Sequence, residues 1–523
     1  MTDKAALRVV FRVDASLDIG TGHVIRCLTL ADRLRGQGAE VGFVCREFEG
    51  HLCDLIEGRG FNVSRLPLPA PGWRPPSDGE PRHASWLGLS WQEDAEQTAE
   101  AIAYPRLPDW LVVDHYALDS RWEQTFRARG IKLLAIDDLA DRSHSCNVLV
   151  DQNLVAGMVG RYEGRVPGNC TLLLGPTYAM LQSEYSVLRT RTSPREGPIR
   201  RVLVSFGGVD KDCLTEKTVD ALLSLKVPQL QADVVLSSSS PQFDRIRKRI
   251  AGNSAVRLHD RVASLAPLIL AADLAIGASG TTNWERFCLG LPAVVVTVAD
   301  NQTAIAAELA AHNLVEWLGH ASVVDQTLIE GALRKLLETG LDGTWSERCL
   351  NVVDGHGTDR VCAVLLAHPG LELSVRHAVL QDEALLLDWA NDPLTRRNGF
   401  NPRAIEAHEH RAWFRARLRS ADNCMMCIVE TALAVPLGQV RFDRRGAEWE
   451  ISYAVAPAFR GRGVGRTMLA AAIEYFRRSH DAADLFGQVK VENLASHRIF
   501  EALGFKARTG EPDRLIYELN YGR

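Results

Sequence analysis

The sequence contains no run of about 18 apolar residues, the length that a membrane-spanning helix needs, so we predict no membrane span. Its first residues, MTDKAALRVVFRVD, lack the apolar core of a signal peptide. Internal repeats, low-complexity tracts and a regular cysteine spacing are also missing, and eleven scattered cysteines are typical of reduced thiols. We therefore expect a cytoplasmic protein without a disulfide framework.

An excess of positive charge is missing too, because 60 Lys and Arg residues stand against 65 Asp and Glu residues. The formal net charge of −5 argues against a dedicated nucleic-acid binder. What the chain does have is material for packed cores, since 46% of its 523 residues are hydrophobic and 24% are charged. This composition excludes global disorder, and the length predicts about three or four domains.

Short β-branched runs alternate with helical patterns over about the first 365 residues, which is typical of βαβ units and parallel sheets. The Pro-containing stretch Thr192–Arg200 separates two sets of runs, so we predict two doubly wound, Rossmann-like α/β lobes, 1–190 and 191–368. His368-Pro369-Gly370 then breaks a helix, and the elements that follow are grouped rather than alternating. We predict an α+β domain over 370–523.

A glycine-histidine loop follows the first predicted strand. The strand ends at Asp14, and Gly20, Gly22 and His23 lead into a helix that carries Arg26. Glycines at a strand-to-helix turn let the backbone approach a ligand, and a helix N-terminus favours anions. We therefore predict that this loop binds a phosphate-containing substrate beside His23. A turn with a solvent-facing histidine is the alternative.

In the second lobe, small-residue loops after two predicted strands suit a nucleotide, because their backbone N–H groups and hydroxyls can reach a diphosphate. Glu285, about one turn into the helix that follows one of these loops, can accept both hydroxyls of a ribose. The alternative is ordinary helix capping with a solvated Glu285. The loop residues are Gly207, Gly208, Ser279, Gly280 and Thr281, and Asn301 and Gln302 follow a third predicted strand.

The stretch FRVDASLDIGTGHVIRCLTLA closely resembles the start of a hydrolase family of pseudaminic acid synthesis, which cleaves UDP from UDP-2,4-diacetamido-2,4,6-trideoxy-β-L-altropyranose. The segments VVDHYALD, IDDLADR, LLGPTYAML and VSFGGVD also match this family, and the resemblance covers about the first 365 residues. The two-lobe architecture is similar to that of the lipid II-forming N-acetylglucosaminyltransferases, which have the GT-B fold.

The resemblance implies that His23 removes a proton from water that attacks the anomeric carbon, with inversion and without a metal. This role suits imidazole near neutral pH, and UDP is a good leaving group once donors stabilise its charge. Asp14 would orient either His23 or the sugar, and capping of the following turn is the alternative.

Two tyrosines and their neighbours are further candidates. The resemblance places Tyr116 against the substrate, and it places Asn301 and Gln302 in the loop that contacts the sugar. Tyr178 is either a second substrate contact or a packed loop aromatic. Asp114 and His115 precede Tyr116 and line the same site or make structural hydrogen bonds.

In the last domain, a strand is followed by RGRGVGR and a helix, so glycine N–H groups and the helix dipole can bind a pyrophosphate. This loop resembles the signature of the GNAT superfamily of N-acetyltransferases, and NLASHRIFEALGF resembles their second motif. A basic surface turn is the alternative. The resemblance implies acetyl-CoA as co-substrate, held by Arg460, Gly461, Gly463, Gly465, Arg466 and Asn493.

The acid and the base of acetyl transfer are less clear from the sequence. Many GNAT members carry a tyrosine as the acid for the departing thiolate where this chain has Phe500, which cannot donate a proton. The role passes to Tyr517, to water or to no residue. Glu448 and Glu450 are candidates to deprotonate the amine, and Glu450 is our choice; a solvated strand carboxylate is the alternative.

These patterns predict three globular domains with two catalytic units, in a bifunctional enzyme that N-acetylates a UDP-4-amino sugar and hydrolyses the UDP-diacetamido sugar. Flagellin or surface glycans would use the product. UDP-sugar and acetyl-CoA are the expected ligands, no metal is expected, and the oligomeric state is open. The alternatives are a GT-B glycosyltransferase, an enzyme of a related nonulosonic acid pathway that acts on an epimeric sugar, and a nucleotide-sugar-binding protein with a degenerate acetyltransferase domain.

Overall fold

The computed structural model describes residues 6–70, 72–75, 79–207, 210–260, 262–420, 422–480, 482–509 and 512–520. The chain divides into two compact units, Met1–Val361 and Cys362–Arg523. Within the described ranges, no helix has both the length and the apolar character to cross a membrane.

The first lobe of the first unit is a parallel sheet of seven strands in the order β3-β2-β1-β4-β5-β6-β7. Its central strands β1 and β4 are buried at every residue, as is typical of a parallel sheet that is covered on both faces. The order reverses between β1 and β4, so the loops that follow these two strands meet at one point of the sheet edge. The strands are β1 (Arg8–Val13), β2 (Glu40–Arg46), β3 (Asn62–Leu66), β4 (Trp110–Asp114), β5 (Lys132–Ile136), β6 (Val148–Asp151) and β7 (Thr171–Leu174). The helices are α1 (Gly22–Gly36), α2 (Cys53–Gly58), α3 (Trp91–Ile102), α4 (Ser120–Arg127) and α5 (Ser183–Arg189).

The second lobe is a parallel sheet of six strands in the order β10-β9-β8-β11-β12-β13, with its reversal between β8 and β11. Its strands are β8 (Arg201–Ser205), β9 (Gln231–Val235), β10 (Val256–His259), β11 (Leu274–Ala278), β12 (Ala293–Thr297) and β13 (Val315–His320). Its helices are α6 (Leu214–Leu225), α7 (Phe243–Arg249), α8 (Ala266–Ala271), α9 (Thr282–Cys288), α10 (Thr303–Ala311), α11 (Gln326–Thr339) and α12 (Gly343–Leu350). Helix α13 (Gly357–Leu366) begins in the first unit and ends in the second. The prediction of two Rossmann-like lobes is confirmed.

The second unit is a mixed sheet of seven strands in the order β14-β15-β16-β17-β18-β20-β19. Its pairs are antiparallel except for β17 and β18, whose parallel register runs from Trp449–Leu485 to Ile451–Gly487. The strands are β14 (Leu373–His377), β15 (Cys424–Thr431), β16 (Pro436–Arg445), β17 (Glu448–Val455), β18 (Leu485–Lys490), β19 (Lys506–Thr509) and β20 (Arg514–Leu519). The helices are α14 (Glu383–Asn391), α15 (Pro393–Asn398), α16 (Ala407–Arg419), α17 (Val464–Arg477) and α18 (Leu494–Ala502). The predicted α+β domain is confirmed.

Candidate functional site

His23 lies in the first turn of α1, just after the loop that leaves β1. Gly20 makes this turn with a φ of +80°, and the space around Gly20 and Gly22 is open, so a ligand can approach their backbone. The His23 side chain is largely buried, with 8% of the residue exposed, and its Nδ1 lies 2.6 Å from Asp114 Oδ1 at the end of β4. Because a carboxylate can only accept, a neutral His23 carries its proton on Nδ1 and its basic lone pair on Nε2.

Asp114 is fixed by Arg26, one helical turn after His23. The guanidinium donates from Nε to Oδ2 at 2.6 Å and from Nη2 to Oδ1 at 2.7 Å. Burial acts to raise the pKa of Asp114, but the charges of Arg26 and His23 outweigh it and hold the pKa below its usual range. Asp114 is therefore an ionised acceptor that holds the histidine ring in place. Arg26 also binds Asp138 at 2.6 Å, so its side chain serves this network.

The structure corrects the assignment of Asp14. Its side chain is fully buried and accepts hydrogen bonds from Arg12 Nη1 and from the backbone N–H of Arg46, both at 2.7 Å. His115 Nε2 lies 3.3 Å from its other oxygen. Asp14 therefore belongs to a buried ionic network, and the carboxylate that contacts His23 is Asp114, for which the sequence left two roles open.

An aromatic cluster packs around His23. The Tyr116 ring lies 4.6 Å from the histidine ring, and the Tyr116 hydroxyl donates to Asp138. Trp86 packs 5.7 Å from Tyr116 and 6.4 Å from His23, and His83 packs 4.4 Å from Trp86. The sequence reasoning missed His83 and Trp86, because they follow a Pro-rich stretch that by itself indicates only an exposed loop.

Tyr178 is placed elsewhere, in the turn before α5. This turn packs against the start of α13, where a Cβ on Gly357 would stand 2.6 Å from the carbonyl carbon of Tyr178. The Tyr178 side chain is half-buried, and burial raises the pKa of its hydroxyl. These contacts favour the packed loop aromatic over a substrate contact.

The predicted nucleotide loops follow β8, β11 and β12, which are neighbours in the second sheet. Gly207, just after β8, has a φ of +101°, while Gly208 lies outside the described residues. Gly280 in the loop after β11 lies against Gln302 in the loop after β12, because a Cβ on Gly280 would stand 3.7 Å from Gln302 Nε2. Asn301 lies beside Gln302 and is exposed. These residues are therefore gathered at one edge of the sheet.

Within the loop after β11, the side chains differ in access. Thr281 is exposed, whereas Ser279 is fully buried and its Oγ accepts from Asn283 Nδ2 at 3.2 Å. Ser279 can therefore support the loop but offers a ligand only its backbone.

Burial raises the pKa of Glu285 to about 7, partly offset by Tyr185 and by the charge of Arg286. Glu285 thus changes its charge near neutral pH.

Two contacts join these loops to the first lobe. Lys211, after the glycines that follow β8, donates from Nζ to the carbonyl oxygen of Leu17 at 3.3 Å, in the loop before His23. Arg82, next to His83, lies 3.1 Å from Asp300, next to Asn301. The histidine loop and the nucleotide loops therefore face one another.

The second unit has a cavity of about 1100 Å³ at the gap between β17 and β18. Gly461 and Gly463 line it with φ values of +71° and +74°, and Gly465 lines it at the start of α17. Arg460 anchors this loop, since its guanidinium donates to Asp392 Oδ1 at 2.5 Å and to Thr395 Oγ1 at 2.8 Å. Its side chain is thus engaged within the protein.

The remaining predicted residues of this unit are also placed. Asn493 lines the cavity and caps α18, where its side chain accepts from the N–H of Ser496 at 3.2 Å. Glu450 lines the cavity on β17 and accepts from Gln488 Nε2 at 3.1 Å and from Arg445 Nε at 2.9 Å. Arg466 is an exposed residue in the first turn of α17.

Phe500 lines the cavity with only 2% of the residue exposed, and Tyr517 stacks on it at 5.4 Å between ring centroids. The Tyr517 hydroxyl donates to Glu501 Oε1 at 3.1 Å and lies 2.9 Å from His497 Nδ1. Tyr517 is not among the described residues that line the cavity. The structure therefore does not bring Tyr517 to the place where a departing thiolate would lie.

No cluster of three or more His, Cys, Asp or Glu residues that could hold a metal ion is present in the described part of the chain.

Known proteins resemble both units. Residues 372–506 match the family model described as an acetyltransferase (GNAT) domain. Over 308 residues the chain is 26% identical to the UDP-2,4-diacetamido-2,4,6-trideoxy-β-L-altropyranose hydrolase of Campylobacter jejuni. This match spans 58% of this chain and 96% of the hydrolase. It is 28% identical over 233 residues to a spore coat polysaccharide biosynthesis protein of Bacillus subtilis, across 43% of this chain and 68% of the relative.

A protein of Methanocaldococcus jannaschii is 22% identical to this chain over 543 residues. The match spans 98% of this chain and 100% of that protein, so the joined architecture of the two units recurs. The chain therefore joins a unit of two Rossmann-like lobes, similar in sequence to the UDP-diacetamido-sugar hydrolase, to a domain that matches the GNAT acetyltransferase family model.

Proposed function

We propose that the first unit hydrolyses UDP-2,4-diacetamido-2,4,6-trideoxy-β-L-altropyranose to the free sugar and UDP, in the cytoplasm and for pseudaminic acid synthesis. The observation that carries this proposal is the His23–Asp114 pair at 2.6 Å, in a loop that faces the nucleotide loops of the second lobe. The similarity to the Campylobacter hydrolase over 96% of that protein supports the choice of substrate.

In this reaction His23 Nε2 takes a proton from a water molecule as the water oxygen attacks the anomeric carbon. The bond between that carbon and the UDP oxygen breaks, and the electron pair leaves with UDP. Ionised Asp114 stabilises the imidazolium that forms, as a buried carboxylate does beside a histidine base. Because the water attacks from the face opposite UDP, the product has inverted configuration.

The nucleotide loops hold the leaving group. Backbone N–H groups at Gly207, Gly208 and Ser279–Thr281 would stabilise the charge on the diphosphate, and the open turn at Gly20 and Gly22 admits it from the other side. Glu285 accepts the ribose hydroxyls. The sugar lies against the residues that surround His23 and the loop after β12, namely Tyr116, Asn301 and Gln302.

We further propose that the second unit transfers an acetyl group from acetyl-CoA to the amine of the UDP-4-amino sugar, which yields the substrate of the hydrolase. The backbone of the Arg460–Gly465 loop and the positive end of α17 bind the pyrophosphate, with Arg466 beside it. The pantetheine arm follows the gap between β17 and β18 to Asn493. Glu450 takes the amine proton.

The direct test is to incubate the full chain with the UDP-4-amino sugar, with and without acetyl-CoA, and to identify the products by mass spectrometry and NMR. With acetyl-CoA we expect CoA, UDP and the inverted free diacetamido sugar. Without acetyl-CoA the 4-amino sugar should stay attached to UDP. A His23→Ala variant should stop at the UDP-diacetamido sugar while it still binds UDP.

Three results would contradict the proposal. Failure to release free sugar without an added acceptor would favour a glycosyltransferase. Faster turnover of an epimeric UDP-diacetamido sugar would move the enzyme to a related nonulosonic acid pathway. Binding of both ligands without any turnover would indicate a binding protein.

A further inference from the structure

We propose that the hydroxyl pair of Tyr453 and Ser496 protonates the sulfur that leaves when acetyl-CoA acylates the amine. This inference rests on the proposed acetyltransferase function of the second unit. It assigns the acid step, for which Phe500 has no proton to give.

The sheet defines where the thioester would lie. β17 and β18 are in register only from Trp449–Leu485 to Ile451–Gly487, although β17 runs on to Val455 and β18 to Lys490. The two strands therefore part after Ile451, and the cavity fills the space between them. With the pyrophosphate at the glycine loop, an extended pantetheine arm reaches its sulfur towards the narrow end of this gap.

Tyr453 lies at that narrow end, two residues beyond the last paired residue of β17. Its side chain lines the cavity, and its hydroxyl donates to Ser496 Oγ at 2.9 Å across the gap. Ser496 also lines the cavity, in the first turn of α18 where Asn493 holds its backbone. Because Ser496 accepts the Tyr453 proton, its own O–H is left to donate into the cavity.

The alternatives offer no such donor. The Phe500 ring packs edge to face against Tyr453 at 5.9 Å between centroids, and Tyr517 stacks on Phe500 with its hydroxyl bound to Glu501. Burial raises the pKa of Tyr453 to about 12, so its hydroxyl keeps its proton across the working pH range. Tyr453 is therefore available as a donor whenever the amine is reactive.

The step balances as follows. The amine nitrogen forms a bond to the acetyl carbon, the C–S bond breaks, and the electron pair goes to sulfur. Ser496 gives its proton to the sulfur while Tyr453 gives its proton to Ser496. The resulting tyrosinate takes a proton back from solvent, and Glu450 carries the proton that the amine loses.

The test uses the full chain with Tyr453→Phe, Ser496→Ala and the double variant, and Tyr517→Phe as the matched loss of a buried hydroxyl. With acetyl-CoA and the UDP-4-amino sugar we expect kcat to fall about a hundredfold for Tyr453→Phe and Ser496→Ala, as for other general acids, with little change in the KM for acetyl-CoA. The double variant should lose no more than the worse single variant, because the two hydroxyls act as one unit. Tyr517→Phe should keep kcat within about threefold.

A second measurement needs no acceptor. CoA labelled with ¹³C at the carbon bonded to sulfur reports the thiol pKa by NMR when bound. We expect Tyr453→Phe and Ser496→Ala to raise this pKa relative to wild type, because a donor that stabilises the thiolate is lost. Equal titration in wild type and Tyr453→Phe, or an effect confined to Tyr517→Phe, would overturn the inference. Failure of wild type to release CoA with the amino sugar, with the NMR difference intact, would contradict only the proposed acceptor.

Discussion

Replacement of Asp114 by Asn is the sharpest perturbation of the first unit, because it changes one oxygen to an amide nitrogen without changing size. Four donor atoms face the Asp114 carboxylate, namely His23 Nδ1 at 2.6 Å, Arg26 Nε and Nη2 at 2.6 and 2.7 Å, and Cys27 Sγ at 3.5 Å. An asparagine offers one acceptor oxygen and presents an NH₂ donor to the remaining partner. Arg26 always carries its protons, so it keeps the oxygen and the NH₂ group faces His23.

A histidine that faces an NH₂ donor must accept at Nδ1, which moves its proton to Nε2 and removes the base. General bases contribute about 10²–10⁴-fold to rate, so we expect Asp114→Asn to lower kcat by that factor, or about 2.7–5.4 kcal/mol in activation free energy. Removal of one charge of a buried pair costs about 3–5 kcal/mol of stability, and the contact of Arg26 with Asp138 at 2.6 Å reduces that loss.

The assay is the initial rate of UDP release from the UDP-diacetamido sugar at saturation, with thermal unfolding and UDP affinity measured on the same preparation. Asp138→Asn is the matched control, because it also removes a carboxylate that pairs with Arg26 but leaves the His23–Asp114 contact. We expect this variant to lose less than about tenfold in kcat. If folded Asp114→Asn keeps kcat within about threefold of wild type, His23 is not a base that Asp114 positions. A loss of UDP affinity equal to the loss of rate would instead assign Asp114 to binding.

Three further predictions concern a carboxyl group and two glycines. Because the pKa of Glu285 is about 7 and ribose binding needs the carboxylate, UDP affinity should rise about tenfold from pH 6 to pH 8; calorimetry should find this component absent in Glu285→Gln. Gly463→Ala should cost about 1–2 kcal/mol of stability and weaken acetyl-CoA binding, since the residue has a φ of +74° and a Cβ would stand 2.8 Å from Pro369; unchanged denaturation and affinity would contradict this. Gly487→Ala should cost about 1–3 kcal/mol in urea unfolding, because a Cβ would stand 2.5 Å from the Phe500 ring, and a stable variant would show that the ring can move.

The sequence by itself determined the architecture and the loops. Strand runs such as Arg8–Val13, buried along their whole length, and the glycines that turn strands into helices depend on nearby residues alone, so they are legible in order along the chain. The turn at Gly20 and the loop at Gly461–Gly465 are predicted in this way, and the second of them lies within residues 372–506, which match the GNAT family model.

Only the tertiary structure decided which side chains meet in those loops. His23 and Asp114 are 91 residues apart and touch because β4 pairs with β1, whereas Asp14, much closer in sequence, is drawn to Arg12 and Arg46. Tyr453 and Ser496 are likewise 43 residues apart and meet across the gap between β17 and β18. Strand order and side-chain charge, rather than proximity along the chain, select these partners, since a buried charge must be satisfied by whatever the sheet places beside it.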